Sequence, residues 1–312
     1  SKEIKTVQEL SPSIILSNFS NVYKLDSISV DNENIYIFDF NGTMVKSSNK
    51  GLKWESKNLM AGFTADSRSC VFFDSKDVKR LWKIIFSKEQ NTVFFSMDEG
   101  FSWTEFDKIN GDLLEVRGIT TNDKSGISYL YGFGGIYKKD KTQKIWQPIK
   151  NNLKNLDIST CVFDNAEAQN LYLGTSDGIY KCMENKYEWS EKSKGLKCKN
   201  ILSIAVNSKE KNILFAGSGR GLYKSTDGAE NWAIVDDKSF SEEYVRKVCI
   251  DNSDPAFIVA GTSNGIFISS DSGGAWNSCG KPVNCLDLRL ITLNSKKIVY
   301  LLNPLNMVYK YE

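Results

Sequence analysis

The chain has 312 residues, 41% hydrophobic and 25% charged, with 40 Lys+Arg against 38 Asp+Glu and no histidine. A net charge of +2 without long like-charge runs argues against a nucleic-acid binder driven by counterion release. No apolar run approaches the roughly 18 residues of a membrane span, and the lack of histidine excludes Ser-His-Asp and Cys-His catalysis, His-ligated zinc and haem, and an imidazole pH switch.

Seven cysteines (Cys70, Cys161, Cys182, Cys198, Cys249, Cys279 and Cys285) are scattered, odd in number and without a CxxC pair. They read as small buried thiols rather than a disulfide or metal framework, so no metal and no cofactor are expected. Cys279 and Cys285 are close enough in sequence to pair in an oxidising compartment.

A repeat runs the length of the chain. The pattern Ser-x-Asp-x-Gly-x-x-Trp is complete at Ser96, Asp98, Gly100, Trp103 and at Ser269, Asp271, Gly273, Trp276. With one substitution it recurs at Ser47, Asn49, Gly51, Trp54, and at Ser225, Asp227, Ala229, Trp232. Tryptophans at 54, 103, 146, 189, 232 and 276 are spaced by 49, 43, 43, 43 and 44 residues, and nine residues before each stands Val45, Phe94, Tyr137, Tyr180, Tyr223 or Phe267. The units cover approximately 22–60, 63–108, 114–150, 156–195, 199–238, 244–280 and 283–312.

Each unit reads as four short strands bounded by Gly, Asn, Asp and Ser. In the fifth these are Ile201–Val206, Ile213–Gly217, Gly221–Ser225 and Trp232–Val235. Such a period predicts an all-β fold, a seven-bladed β-propeller of four-stranded antiparallel blades in a single domain over 1–312. The seventh unit stops after its third strand. Glu3–Leu10, within residues 1–12, is expected to supply its missing outermost strand and close the ring.

The boxes Ser96–Trp103 and Ser269–Trp276 resemble the Asp-box, or bacterial neuraminidase repeat, and the phrases at 216–232 and 261–276 are similar to blades of bacterial Asp-box propellers. The segment 41–54 also resembles repeats of photosystem II assembly factors. The resemblance implies a structural role: the box Asp accepts backbone N–H groups across the turn between strands three and four, Gly takes a positive φ, and Trp packs between blades. It does not fix a function, because sialidases, xyloglucan-cleaving enzymes, sorting receptors and photosystem assembly factors all carry such boxes. The Gly217–Gly221 stretch reads as a hairpin turn, since no helix follows it to cradle a phosphate.

The six arginines are not evenly spread. Arg117, Arg246 and Arg289 each stand five residues before the Asp or Asn that ends a first strand, and Arg68 stands six before Asp74. First strands are innermost in a propeller, so these arginines and Arg220, on a strand two–three turn, are expected at one face, around the mouth of the axial channel. Two residues before four of them come Asp66, Glu115, Tyr244 and Asp287, a spacing that puts both side chains on one face of a strand. The ring reads either as acid–Arg pairs locking the blades or as a site for carboxylates and acidic protein segments.

Two functions follow. The first is a non-catalytic, monomeric scaffold, extracytoplasmic or secreted, that binds a protein through the Arg-rich upper face; free-looking cysteines count against that compartment. The second is a glycoside hydrolase or glycan-binding propeller using upper-face carboxylates, for which Trp82, outside the tryptophan period, is the candidate sugar platform. The sialidase version would pair Tyr244 with Glu242 or Glu243, yet the Phe-Arg-Ile-Pro segment of that family is missing.

Overall fold

A computed structural model describes residues 7–10, 25–30, 34–39, 43–59, 68–73, 80–86, 91–109, 115–122, 124–140, 145–149, 153, 156–164, 170–184, 186–235, 240, 242–305 and 307–312. Every regular element among them is a β-strand apart from one helical-turn residue at Phe240. No helix there is long and apolar enough to cross a membrane.

After β1 (Val7–Leu10) the strands fall into successive antiparallel groups. The first is β2 (Leu25–Val30), β3 (Ile35–Asp39), β4 (Thr43–Ser47) and β5 (Glu55–Asn58). The second is β6 (Arg68–Phe73), β7 (Leu81–Phe86), β8 (Asn91–Ser96) and β9 (Thr104–Ile109). The third is β10 (Glu115–Thr121), β11 (Ser128–Phe133), β12 (Gly135–Lys139) and β13 (Ile145–Pro148). A short parallel contact, Ile145 opposite Lys108 and Trp146 opposite Ile109, joins the second and third into one eight-stranded sheet.

Separate four-stranded sheets follow. They are β14 (Ile158–Phe163), β15 (Asn170–Thr175), β16 (Gly178–Met183) and β17 (Ser190–Glu191), then β18 (Ile201–Val206), β19 (Leu214–Ser218), β20 (Leu222–Ser225) and β21 (Ala233–Ile234). Next come β22 (Val245–Ile250), β23 (Ile258–Thr262), β24 (Gly265–Ser269) and β25 (Asn277–Cys279). The last group is β26 (Asp287–Leu293), β27 (Lys296–Leu302) and β28 (Val308–Tyr311), with β1 paired antiparallel to β28, Val7 opposite Tyr311 and Leu10 opposite Val308. The strands expected in the fifth unit match β18 to β21 within two residues.

Opening strands pack on one another in sequence: β10 on β14, β14 on β18, β18 on β22, β22 on β26, and β26 on β2. The apolar core correspondingly lies between groups. One cluster joins Leu10, Tyr300, Leu302 and Val308 of the last group to Ile28, Ile37 and Val45 of the first; another joins Phe215 to Val248, Phe267 and Trp276. Second strands such as β19 are buried along their whole length and turn small residues to the next opening strand. A Cβ on Gly174 would lie 2.7 Å from the Cγ2 of Ile201.

The Ser-x-Asp turns share one hydrogen-bond scheme. Ser96 Oγ accepts from Gly100 N at 2.7 Å and bonds Asp98 Oδ1 at 2.8 Å, while Asp98 Oδ1 accepts from Ser102 N at 2.9 Å. The same atoms repeat for Ser47–Asn49, Ser225–Asp227 and Ser269–Asp271. The turn tryptophans Trp54, Trp103, Trp232 and Trp276 pack into clusters shared with the preceding group.

Bonds from the Ser102 side chain, then its backbone, hold the Asp98 carboxyl down to about 2. A carboxyl lowered in the fold adds stability above its ordinary pKa and loses it as pH falls from there through about 2. The destabilisation caused by Asp98→Asn should therefore be full at pH 5 and shrink toward zero by pH 2, as read from urea midpoints; a pH-independent deficit would refute the charged-turn account.

Sheets are cross-linked by a lysine on the third strand. Lys46 reaches Glu99 at 2.6 Å, Lys181 the carbonyl of Gly228 at 3.1 Å and Lys224 the carbonyl of Ser272 at 2.8 Å, each in the Ser-x-Asp turn of the next group. On the way each ammonium lies over a second-strand ring of its own group: Tyr36 at 5.2 Å, Tyr172 at 5.3 Å and Phe215 at 5.5 Å. Cys279 and Cys285, expected as a pairing option, are both free buried thiols.

Candidate functional site

In an antiparallel four-stranded group the start of strand one and the turn between strands two and three lie at the same end. The arginine-bearing positions occupy that end. Arg117 and Arg246 are each the extra residue of a β-bulge at the start of an opening strand, between Val116 and Gly118 and between Val245 and Lys247. A bulge re-aims the side chain it carries, and a buried apolar residue precedes each arginine: Val116, Val245 and, before Arg289, Leu288. Asp66 lies outside the described residues; Arg68 opens β6, with its side chain also outside them.

Arg117 is committed to a clamp. Its guanidinium forks onto Asp157 in the next group, Nε to Oδ1 at 3.1 Å and Nη2 to Oδ2 at 2.9 Å, while Nη1 meets Glu115 at 3.0 Å. Two carboxylates thus meet one arginine, one of them from the neighbouring group. Arg220 is largely exposed and pairs with Glu242 at 3.3 Å, an arrangement of little energetic weight.

The other two arginines differ. Asp287 is buried and serves Arg289 at 3.7 Å, Lys247 at 3.6 Å and the backbone N–H of Ile28 at 3.1 Å. Burial opposes its ionisation, but Arg289 and Lys247 overcome this and hold the carboxyl below its usual range. Two cations thus share one carboxylate. The charge of Arg289 is felt by Tyr131 on β11 and Cys249 on β22, on different groups, as fits a guanidinium close to where the opening strands meet.

Arg246 has no carboxylate among the described residues. Its guanidinium lies 5.5 Å from the Tyr244 ring centre, and its buried Nε has no hydrogen-bond partner. Arg246, Lys247 and Arg289 therefore carry three positive charges, two of them on the single carboxylate of Asp287, and Tyr244 under the Arg246 guanidinium is exposed. Sequence spacing brought Tyr244, Arg246, Asp287 and Arg289 to attention but missed Lys247, whose position two residues before Cys249 looks like ordinary strand surface.

The glycan features fare differently. Trp82 is not a platform: it sits inside β7, 6% exposed, packed against Phe95 and Phe106 at 4.5 and 4.9 Å. Glu242 is held by Arg220 and Glu243 accepts from Ser263, rather than either meeting Tyr244.

No family model matches the chain, and no curated protein is similar to it in sequence. Among solved structures it is similar to YCF48 from Cyanidioschyzon merolae, with a TM-score of 0.68 and 13% identity over 99% of both chains. It is also similar to YCF48 bound to D1 peptide, with a TM-score of 0.65 and 15% identity over 92% of this chain and 93% of that one. A GH74 enzyme from Niastella koreensis gives 0.62 and 15% over 89% of this chain, which spans only 50% of that enzyme. At such identities the likeness speaks to architecture: the chain folds as a β-propeller.

Proposed function

We propose that the chain is a protein-binding scaffold: one ring of seven Asp-box blades over residues 1–312, closed by β1, that takes an acidic segment of a partner at the Arg246–Arg289 mouth. The observation that carries it is Arg246, whose buried Nε has no hydrogen-bond partner and which meets no carboxylate among the described residues, next in the chain to Lys247, which shares Asp287 with Arg289. Guanidinium groups fork onto carboxylates, and Tyr and Arg are the side chains on which protein interfaces concentrate their energy. A neighbour of the same fold, YCF48, is known bound to D1 peptide, which supports a peptide-binding use of the architecture.

The test is a displayed peptide library of acidic and neutral sequences, panned on the full chain. Acidic peptides should be enriched, and the paired substitution Arg246→Ser with Arg289→Ser should weaken them at least about tenfold, the scale of losing charge-assisted bonds. Arg117→Ser should instead lower stability while leaving peptide affinity within about twofold. Equal binding by the mouth variant and the wild type would overturn the reading. The glycan alternative rests on the GH74 likeness; its upper-face carboxylates Glu115, Glu242, Glu243 and Asp287 each already serve a cation or hydroxyl, and reducing-end release from xyloglucan would revive it.

A further inference from the structure

The opposite face of the ring carries the Ser-x-Asp turns, and their tips are not alike. Two positions of each turn project outward: the one after Ser and the one after Gly. In the fifth and sixth groups these are Thr226 and Glu230, and Ser270 and Gly274. In the first and second they include Leu52, Met97 and Phe101, exposed by 79%, 66% and 76%. Single exposed apolar side chains are ordinary. Three at the tips of adjacent turns, where the repeat elsewhere puts polar or small residues, are not.

The charge around these tips is also particular. The first turn, Ser47 to Trp54, is the one Ser-x-Asp turn with Asn in place of Asp, and Lys50 and Lys53 flank Leu52 without a carboxylate in the turn. Exposed Lys296 lies on the same side, close enough for Glu312 to feel both it and Lys50. In the second turn Asp98 is tied up within the turn and Glu99 is neutralised by Lys46.

A third observation is independent of exposure. The Lys57 ammonium is covered by the Phe101 ring at 3.3 Å and has no hydrogen-bond acceptor among the described residues. Burial lowers its pKa, against the pull of Asp98 and Glu99. A cation kept dry under a solvent-exposed ring lacks an acceptor that a bound phosphate would provide.

We propose that this rim, with Leu52, Met97 and Phe101 as insertion points and Lys50, Lys53, Lys57 and Lys296 as contacts, docks on an anionic lipid surface. The three side chains stand exposed at turn tips, which suits entry into a headgroup layer. Lysines around apolar tips are the composition that adsorbs to acidic phospholipid. On docking, Phe101 swings into the layer and Lys57 meets a lipid phosphate. The mouth of the ring, on the other face, stays open to a partner.

Flotation of the full chain tests this with vesicles of phosphatidylcholine alone and of phosphatidylcholine containing about three parts in ten phosphatidylglycerol. The wild type should float with the anionic vesicles at least about tenfold more than with the neutral ones, and less at high salt. Leu52→Ser with Met97→Ser and Phe101→Ser should cut that binding at least about tenfold. Should this variant melt early, Lys50→Glu with Lys53→Glu, both on exposed side chains, reads the same loss. Arg246→Ser with Arg289→Ser should float like the wild type, which separates this face from the mouth. A wild type that stays unbound to both vesicles, or a well-folded tip variant that floats unchanged, would overturn the proposal.

Discussion

Removing residues 1–12 should destabilise the protein by about 3–5 kcal/mol, the sum of a lost buried leucine and an uncovered strand edge. Leu10 is 2% exposed and packs with Tyr300, Leu302 and Val308 of the last group and Ile37 and Val45 of the first. It also lies against the first turn, where a Cβ on Gly51 would come within 2.7 Å of its Cδ1. Leu10→Ala alone should therefore account for about 2–4 kcal/mol of the loss. The remainder comes from β28, whose pairing to β1 runs from Val308 to Tyr311 and which would be left as an open edge.

Urea unfolding of both variants measures the two parts. Light scattering should show the truncated chain self-associating, because an unpaired edge recruits another strand. A synthetic peptide of residues 1–12 added in excess should restore both stability and dispersity, by strand addition. A truncated chain as stable as the full one would sink the closure model, since the ring would then hold without its seam.

The repeat was readable because its Trp, Ser and Gly positions are fixed by packing and turn geometry, which tolerate few residue types. The sheet-to-sheet lysines were regular too, with Lys46, Lys181 and Lys224 each eight residues before a tryptophan of the repeat. In the sequence a lysine on a third strand looks like solvated surface, and its acceptor is distant: the Glu99 carboxylate for Lys46, 53 residues on, and backbone carbonyls 47 and 48 residues on for Lys181 and Lys224. For the arginines the place of each on its strand was legible in the sequence and its partner was not. Glu115 stands two residues from Arg117, yet the bidentate acceptor is Asp157, 40 residues on, brought there by the packing of β10 on β14. Gly118 flanks the bulge that aims Arg117, but no glycine marks the one at Arg246, between Val245 and Lys247. Trp82 was misplaced for a related reason: falling outside the tryptophan period, it looked spare, whereas Phe95 and Phe106 close over it.

Gly273→Ala should cost about 2–4 kcal/mol, combining a backbone term with a packing term. Two consecutive residues of each turn take left-handed backbone: Lys50 and Gly51, Glu99 and Gly100, Gly228 and Ala229, Ser272 and Gly273. At Gly273 φ is +82°, a conformation that disfavours any side chain by about 1–2 kcal/mol. An added Cβ would also fall 2.6 Å from Cζ of Phe215, a fully buried ring on the neighbouring group that has no room to yield. The preceding turn offers an internal control, because Ala229 already occupies the same position at φ +73° and is fully buried. Its methyl is worth about 0.8 kcal/mol in burial, which offsets much of the strain, so Ala229→Gly should change stability by no more than about 1 kcal/mol. Urea midpoints of the two variants decide the matter. If Gly273→Ala is as neutral as Ala229→Gly, the turn is not what holds the fifth and sixth groups at their present separation.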